Sequence, residues 1–286
     1  MSETAMLSQE ELFRFIDNAL NEDIGSGDYS SLSCIPIESK GTAQLLVKEN
    51  GILAGVELAQ LIFSRYDPSL TVTVRLKDGT SVNVGEIALT VSGSKRSILA
   101  TERLVLNCMQ RMSGIATQTR RMIDLMGNTN TRILDTRKTT PGMRMIEKWA
   151  VRIGGGYNHR FGLYDMIMLK DNHIDFAGGI KAAIDQAVNY CKQHGLNIPI
   201  EVEVRNENEL KEVIAVGQVQ RIMLDNFTPE QIREVMPLIP KEFETEASGG
   251  ITEQTIAAYG QTGVDFISVG AITHSVKSLD LSLKAI

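Results

Sequence analysis

The second half of the chain alternates short apolar runs with segments in which apolar residues recur at helical spacing. Runs of this kind are typical of buried strands, and they predict six of them, at residues 132–135, 166–170, 199–204, 221–225, 243–248 and 266–270. The helical spacing predicts helices between them, at residues 180–193, 207–216, 229–236 and 253–259. A strand about every 20–35 residues, separated by helices, predicts parallel strands with crossover helices.

The number of strands indicates which α/β architecture this half adopts. Six units predict an incomplete α/β barrel, because a complete barrel of this kind has eight strands. A doubly wound open sheet is the alternative. No Gly-x-Gly-x-x-Gly motif follows a first strand here, although that motif marks dinucleotide-binding sheets.

The first part of the chain has a mixed order of elements. Ser8 and Glu11 precede an apolar helical stripe and predict a helix N-terminus. The pattern then predicts strands at residues 41–49, 70–76 and 86–91 and helices at residues 56–66 and 95–112. Residues 24–36 are predicted as a loop, and Gly114 is expected to interrupt the long helix. We predict an α/β domain at residues 1–114 and the barrel at residues 115–275.

Composition excludes several classes of protein. Hydrophobic residues make up 43% and charged residues 22% of the 286 residues, which is typical of a folded globular chain. No apolar run approaches the ~20 residues that cross a bilayer. Residues 1–4 do not begin a secretory signal pattern. Three widely spaced cysteines, Cys34, Cys108 and Cys191, argue against a disulfide framework and predict a cytoplasmic protein.

Positive charge is concentrated in one segment. Residues 95–170 hold 14 Lys and Arg against 5 Asp and Glu, a balance of +9, whereas the whole chain has a net charge of −6. The remainder therefore carries −15. A compact basic segment in an acidic protein favours a local anion site over a nucleic-acid surface. A solvated basic helix face is the alternative.

The C-terminal ends of all six predicted strands carry polar or glycine residues. The ends are Asp135 to Lys138, Lys170 to His173, Glu201 to Glu203, Asp225-Asn226, Ser248 to Gly250 and Gly270-Ala271. Because ligands of parallel α/β folds bind at the C-terminal ends of the strands, these residues predict one shared site.

Cations are prominent among these candidates: Arg137, Lys138, His159, Arg160 and Lys170. Arginine pairs with a carboxylate or phosphate at two points, so the group is suited to a ligand with more than one anionic group. Pairing with acidic residues at the rim of the barrel is the alternative.

Carboxylates are the second group of candidates. Glu201 and Glu203 lie two apart on a strand and face the same side, and Asp225 ends the next strand. Oxygen ligands in one region suit Mg²⁺. A solvated edge strand, with Val202 and Val204 on the buried side, is the alternative.

Glycine turns are the third group. Ser248-Gly249-Gly250 and Gly270-Ala271 follow the last two strands, where barrels often bind a phosphate. Backbone N–H groups at glycine can approach an anion closely, and a helix beginning near Thr252 adds its positive end. Two ordinary turns are the alternative.

Several motifs together resemble the quinolinate phosphoribosyltransferases, also called nicotinate-nucleotide pyrophosphorylases (carboxylating). The most specific is Asp135-Thr136-Arg137-Lys138-Thr139-Thr140-Pro141-Gly142. The others, in order along the chain, are residues 102–107, 113–117, 154–160, 169–173, 224–226, 246–251 and 268–271. The resemblance extends from about residue 10 to the C-terminus.

The resemblance implies a type II phosphoribosyltransferase. Its fold is an N-terminal α/β sandwich, residues 1–114 joined by the tail 276–286, followed by an incomplete α/β barrel. The implied reaction joins quinolinate to phosphoribosyl pyrophosphate and gives nicotinate mononucleotide, pyrophosphate and CO₂ in de novo NAD synthesis. The implied cofactor is Mg²⁺. The implied assembly is a homodimer with shared active sites, with a hexamer as the larger alternative.

The resemblance also implies a role for each candidate residue. Quinolinate is held by Arg137, Arg160 and Lys170, with His159 and Lys138 between it and the pyrophosphate. Arg103 reaches across from the partner subunit. Glu203 and Asp225 bind the metal and act in catalysis with Lys138, and Glu201 is an alternative to Glu203. The 5′-phosphate is held by Ser248, Gly249, Gly250, Gly270 and Ala271.

Three other functions remain as alternatives at this point. A related transferase could act on nicotinate or in molybdenum metabolism, although Arg137, Arg160 and Lys170 favour a dicarboxylate. A Schiff-base aldolase would use Lys170 as its nucleophile. A binding protein for phosphorylated metabolites would not need paired acids beside a cation cluster.

Overall fold

The computed structural model describes residues 8–286, so the terminal residues 1–4 discussed above lie outside it. The chain forms two compact units. The first comprises the described residues up to Arg120, Thr139–Gly155 and Ser275–Ile286, and the second comprises Arg121–Lys138 and Gly156–His274. The predicted division at residue 114 falls inside one continuous helix and stays a prediction.

The helices and strands are numbered along the chain. The helices are α1 (Gln9–Ile24), α2 (Tyr29–Cys34), α3 (Val56–Tyr66), α4 (Lys95–Met126), α5 (Arg144–Ile153), α6 (Asp171–Ala177), α7 (Ile180–His194), α8 (Glu207–Val216), α9 (Pro229–Val235), α10 (Ile256–Gly260) and α11 (Ala271–His274), with a 3₁₀ turn at Met236–Leu238. The strands are β1 (Lys40–Val47), β2 (Gly51–Ile52), β3 (Thr71–Val74), β4 (Ser81–Val82), β5 (Ile87–Ser94), β6 (Arg132–Leu134), β7 (Ile167–Leu169), β8 (Ile200–Val204), β9 (Arg221–Asp225), β10 (Glu244–Ser248), β11 (Phe266–Ser268) and β12 (Leu281–Ala285).

An antiparallel sheet in the order β12-β1-β5-β3 forms the centre of the first unit, and β2 pairs separately with β4. Ala43, Leu45 and Val47 are buried at alternate positions of β1, as a half-buried strand requires. The C-terminal strand β12 pairs with β1, placing Leu283 opposite Leu45. Residues from the end of the chain therefore complete the sheet of the N-terminal unit.

Two predictions about the helices of the first unit are wrong. Residues 24–36 include α2, which Asp28 caps by accepting a hydrogen bond from the backbone N–H of Ser31 at 3.1 Å. Helix α4 also continues through Gly114 to Met126. A Cβ atom at Gly114 would collide with the backbone of Lys277 and Ser278, so the glycine allows close packing of the C-terminal segment.

Six parallel strands form the sheet of the second unit, in the order β6-β11-β10-β9-β8-β7. From β7 to β11 each strand lies beside the strand that precedes it in the sequence. Strand β6, the first of the six in the sequence, lies beside β11, the last. In a doubly wound sheet the strand order reverses at a switch point. The order found here has no such reversal and is that of a barrel left open between β6 and β7. The prediction of an incomplete α/β barrel is confirmed.

Two features bear on the environment of the chain. Among the described residues, no helix combines the length and the apolar character that crossing a bilayer requires. Cys34, Cys108 and Cys191, all within residues 8–286, are free thiols.

Candidate active site

A cleft of about 790 Å³ lies at the C-terminal ends of the parallel strands. The sequence-predicted site residues that line it are Arg137, Lys138, His159, Arg160, Lys170, Glu203, Asp225, Ser248, Gly249, Gly250, Gly270 and Ala271. Glu201 lies deeper in the same unit, and Arg103 belongs to α4 in the first unit. The fold therefore assembles one site from residues spread over more than a hundred positions of the sequence.

The segment that presents His159 and Arg160 is held by a buried carboxylate. Asp135 accepts hydrogen bonds from the backbone N–H of His159 at 2.9 Å and from the Asn158 side-chain amide at 2.5 Å. Asp165 accepts from the backbone N–H groups of Phe161 and Gly162 on the other side. Both ends of this segment are therefore fixed relative to the strands.

Arginine side chains meet at this edge of the cleft. Arg160 is half-buried and donates to the backbone carbonyl of Met166 at 3.2 Å. Burial, and then the nearby charge of Arg137, lower the pKa of Arg160. Two guanidinium groups that repel each other are stabilised by an anion between them, so this edge is suited to a carboxylate.

The carboxylates of Glu203 and Asp225 lie together at the strand ends. Burial, and then the charge of Glu203, raise the pKa of Asp225. The Lys170 ammonium lies 3.0 Å from Glu203, so Lys170 does pair with an acidic residue, as the alternative interpretation of the cations expected. Asn226 adopts a left-handed backbone conformation and donates to Asp225 at 2.6 Å. A carboxyl whose pKa is raised by a neighbouring carboxylate favours a bound cation.

Glu201 does not share the position of Glu203. It is two residues earlier on β8, which places it about 6–7 Å deeper along the strand. All five residues of β8 are buried and the strand has neighbours on both sides, which excludes the solvated edge strand. The geometry places Glu203 at the cleft and Glu201 beneath it.

The glycine turns after β10 and β11 both line the cleft. Gly249 has a φ of +102°, and a Cβ atom there would collide with the side chain and backbone of Asn226. The turn after β11 lies against Lys138, whose carbonyl accepts from Thr273 at 2.9 Å. The predicted helix near Thr252 begins only at Ile256, after a turn that Thr252 opens, so its start was placed too early.

Sequence reasoning missed two charged residues beneath the cleft, Glu246 and Arg221. Glu246 is fully buried, and Arg221 Nη1 lies 3.1 Å from its carboxylate. Burial, and then the charge of Glu201, raise the pKa of Glu246 to about 7. Burial likewise raises the pKa of Glu201 to about 7. The signal was present, because Glu244 and Glu246 have the same two-residue spacing as Glu201 and Glu203.

His159 completes this buried group. Its Nε2 atom lies 3.0 Å from Glu201 and 3.5 Å from Glu246. Donor atoms of the three residues lie within 4.8 Å of one another, a spacing that could hold a metal ion. Arg221 already supplies a cation 3.1 Å from Glu246, and the raised pKa values of Glu201 and Glu246 favour a proton on these carboxyls, so the arrangement does not require a metal.

Replacing Glu246 by Gln is expected to change how stability depends on pH. A carboxyl whose pKa is raised to about 7 in the folded chain contributes stability that is fully present below its unfolded pKa of about 4.5 and is lost as the pH rises through 7. Relative to Glu246→Gln, the parent should therefore lose unfolding free energy on the order of 1–3 kcal/mol between pH 4.5 and 7.5.

Urea denaturation of both proteins across this pH range measures the difference. Glu244→Gln is the control, because its side chain is on the same strand but 52% exposed, and its curve should run parallel to that of the parent. A parent-minus-Glu246→Gln difference that does not vary with pH would contradict the prediction.

Comparison with known proteins is consistent with this site. Residues 28–113 match the model of the quinolinate phosphoribosyl transferase N-terminal domain, and residues 115–284 match that of the C-terminal domain. The chain is 47% identical over 289 residues to the chloroplastic nicotinate-nucleotide pyrophosphorylase [carboxylating] of Arabidopsis thaliana, covering 96% of this chain and 82% of the relative.

Bacterial relatives match over more of their own length. A probable nicotinate-nucleotide pyrophosphorylase [carboxylating] of Bacillus subtilis is 45% identical over 273 residues, covering 96% of this chain and 93% of the relative. The solved structure of NadC from Streptococcus pyogenes superposes with a TM-score of 0.91 at 40% identity, covering 98% of this chain and 99% of that one. The resemblance in the sequence motifs is confirmed, and this chain belongs to the quinolinate phosphoribosyltransferase family.

Proposed function

We propose that this protein transfers the phosphoribosyl group of phosphoribosyl pyrophosphate to quinolinate with loss of CO₂, giving nicotinate mononucleotide and pyrophosphate for de novo NAD synthesis. The observation that supports it most strongly is the joining in one cleft of a cation cluster, paired carboxylates and glycine turns. Each group suits one part of the two substrates, and the relatives from Arabidopsis thaliana and Bacillus subtilis are named for this reaction.

Each part of the cleft has a proposed role. Arg137, Arg160 and Lys170 bind the two carboxylates of quinolinate, and the glycine turns bind the 5′-phosphate. Lys138 lies beside the turn after β11, where it can stabilise the departing pyrophosphate. The residues orient two anionic substrates and stabilise charge, and no covalent intermediate with the protein is needed.

Glu203 and Asp225 are proposed to hold Mg²⁺. Both are oxygen ligands and lie at the cleft, and the pKa of Asp225 is raised by burial and then by the negative charge of Glu203, both of which a bound cation would offset. When bound, Mg²⁺ neutralises charge on the pyrophosphate group. The carboxylates would also stabilise the positive charge that develops on the ribose as the bond to pyrophosphate breaks.

Lys170 does not have the surroundings of an aldolase nucleophile. Imine formation requires a neutral amine, whereas Lys170 is paired with Glu203 at 3.0 Å and its side chain is 46% exposed. The Schiff-base alternative is therefore not supported by this geometry.

A homodimer with shared active sites is proposed from the surface of α4, with a hexamer as the larger alternative. Arg103 is exposed, and Leu99 and Asn107, one turn away on either side, are exposed as well. An exposed leucine beside a cation on one helix face is suited to a partner subunit. We also propose a cytoplasmic location, which the free thiols support.

Ultraviolet monitoring of quinolinate with phosphoribosyl pyrophosphate and Mg²⁺ tests the proposed function. Consumption of quinolinate is expected, with nicotinate a far poorer substrate because it lacks the second carboxylate. Turnover of nicotinate with quinolinate inert would instead identify the nicotinate-specific alternative. Binding of phosphoribosyl pyrophosphate without turnover of either acid would indicate a binding protein.

Arg137→Ala is expected to weaken quinolinate binding by about 10- to 150-fold. The reason is that a charged, two-point hydrogen bond contributes about 1.5–3 kcal/mol. Calorimetry measures the dissociation constants of quinolinate and phosphoribosyl pyrophosphate separately, and the second should change much less. Arg233→Ala, which removes an exposed arginine of α9, is the matched control. An unchanged quinolinate affinity would remove Arg137 from the substrate site.

A further inference from the structure

The hydrogen bonds around His159 determine where its proton lies. The ring is buried, and Nδ1 lies 2.7 Å from the backbone nitrogen of Arg160, whose N–H can only donate. Nδ1 must therefore accept and carry no proton. The proton is then on Nε2, which lies 3.0 Å from Glu201. A flipped ring would place carbon atoms at both positions and lose both interactions.

Both ring nitrogens of His159 therefore face protein groups, Nδ1 the Arg160 backbone and Nε2 the carboxylates of Glu201 and Glu246. A histidine in this state is neutral and offers the substrate neither a positive charge nor a ring N–H. This differs from the role that the family resemblance implied, in which His159 lies between quinolinate and the pyrophosphate as a ligand. Its contact with Arg160 suggests a different role, because the ring orientation fixes the backbone from which the Arg160 side chain extends.

Arg221 offsets the negative charge of the carboxylates that face Nε2 of His159. It lies on β9, between the strands of Glu201 and Glu246, and approaches Glu246 at 3.1 Å. Its guanidinium also pairs with Glu244 at 2.8 Å and stacks 4.2 Å over the ring of Phe266. Burial, the largest influence, acts to lower the pKa of Arg221, but the surrounding carboxylates outweigh it and raise the pKa.

We infer that His159 and Arg221 are positioning residues for quinolinate. His159 is held as the neutral Nε2–H tautomer between Arg160 and the buried carboxylates, Arg221 fixes Glu246 from below, and the group thereby orients the Arg160 side chain at the cleft. The inference deepens the proposed function, on which the identity of the substrate depends.

Nitrogen-15 NMR of histidine-labelled full-length protein tests the tautomer without any activity measurement. The chain has 4 histidines, and His159→Gln identifies the His159 signals. At pH 7 the expected spectrum has a protonated Nε2 and an unprotonated Nδ1. An Nδ1–H tautomer or a doubly protonated ring would overturn the inference, whether or not the protein turns over quinolinate.

Kinetics test the positioning role. Arg221→Met should raise the KM for quinolinate about tenfold and leave the KM for phosphoribosyl pyrophosphate unchanged, while Arg221→Lys should recover most of the loss because it restores the charge. Arg233→Met is the control with the same change at an exposed site. Equal increases in both KM values, or no change in either, would overturn the inference.

A second variant covers the case in which Arg221→Met does not fold. Glu244→Gln removes only a half-exposed partner of Arg221, so the fold should be retained. The KM for quinolinate should then rise about two- to threefold, with the KM for phosphoribosyl pyrophosphate unchanged. A rise confined to phosphoribosyl pyrophosphate, or no rise at all, would overturn the inference.

Discussion

Asp225→Asn is expected to raise the Mg²⁺ concentration for half-maximal turnover by at least about tenfold, since even indirect partners of a metal contribute 10- to 100-fold to its affinity. Asn has the shape of Asp but lacks the negative charge that makes an oxygen a strong ligand for this ion. Asp225 is the better test position, because Glu203 also pairs with Lys170 at 3.0 Å and its replacement would disturb two groups.

Initial rates over a Mg²⁺ titration measure this effect. Asp185→Asn, which changes an aspartate of α7 paired with Lys181, is the matched control and should follow the parent. Glu203→Gln should show a similar shift in the Mg²⁺ dependence. If both cleft variants keep the Mg²⁺ dependence of the parent, the two carboxylates have a structural role only.

Mixing Arg103→Ala with Lys170→Ala is expected to restore activity from two inactive proteins. If Arg103 acts in the partner's site, a mixed dimer has one site with both defects and one intact site. About half of the dimers are mixed at equal proportions, so activity should return toward about a quarter of the parent. The exposed position of Arg103 on α4 is consistent with a contact to a second subunit.

The control for this experiment is a mixture of Arg137→Ala with Lys170→Ala. Both residues line the cleft of one subunit, so every site in a mixed dimer keeps one defect and no activity should return. Exchange of subunits is verified by mass spectrometry of the intact dimers. No recovery with Arg103→Ala after verified exchange would place Arg103 in its own subunit's site or outside any site.

Four of the six barrel strands, β6, β7, β9 and β11, could be predicted because strands buried on both faces are nearly continuous apolar runs, whereas β8 and β10 carry alternating glutamates. The predicted range 221–225 coincides with β9, and 199–204 differs from β8 by one residue. Strand order could also be inferred, since repeated strand–helix units allow few topologies. The position of the cleft could be predicted from that order, because the polar residues at the C-terminal ends of parallel strands meet at one end of the barrel.

Helix α5 was missed because two charged residues interrupt its apolar positions. Glu147 and Lys148 are both buried, and Arg111 pairs with Glu147 at 2.9 Å, so the charge is neutralised by a residue far away in the sequence. The other buried residues of the helix are apolar, namely Ile146, Trp149, Ala150, Val151 and Ile153, so a helical signal was present but was obscured by the two charges. Long-range pairing of this kind becomes visible only in the folded chain.

The same reason explains why the residues beneath the cleft were missed. Alternating acidic residues in a strand, such as Glu244 and Glu246, look like the solvent face of a half-buried strand. The register of the sheet places Arg221 opposite both Glu201 and Glu244, and Glu246 opposite Met223. Only that register shows that Glu201, Glu246 and Arg221 share the interior of the barrel with His159.

Product stoichiometry with labelled quinolinate tests the proposed reaction most directly. Quinolinate carrying carbon-14 in its 2-carboxyl group is incubated with phosphoribosyl pyrophosphate, Mg²⁺ and the protein, and CO₂, pyrophosphate and mononucleotide are quantified. The account predicts all three in equal amounts, with the label entirely in CO₂. Release of pyrophosphate without labelled CO₂, or a mononucleotide that keeps the label, would contradict it.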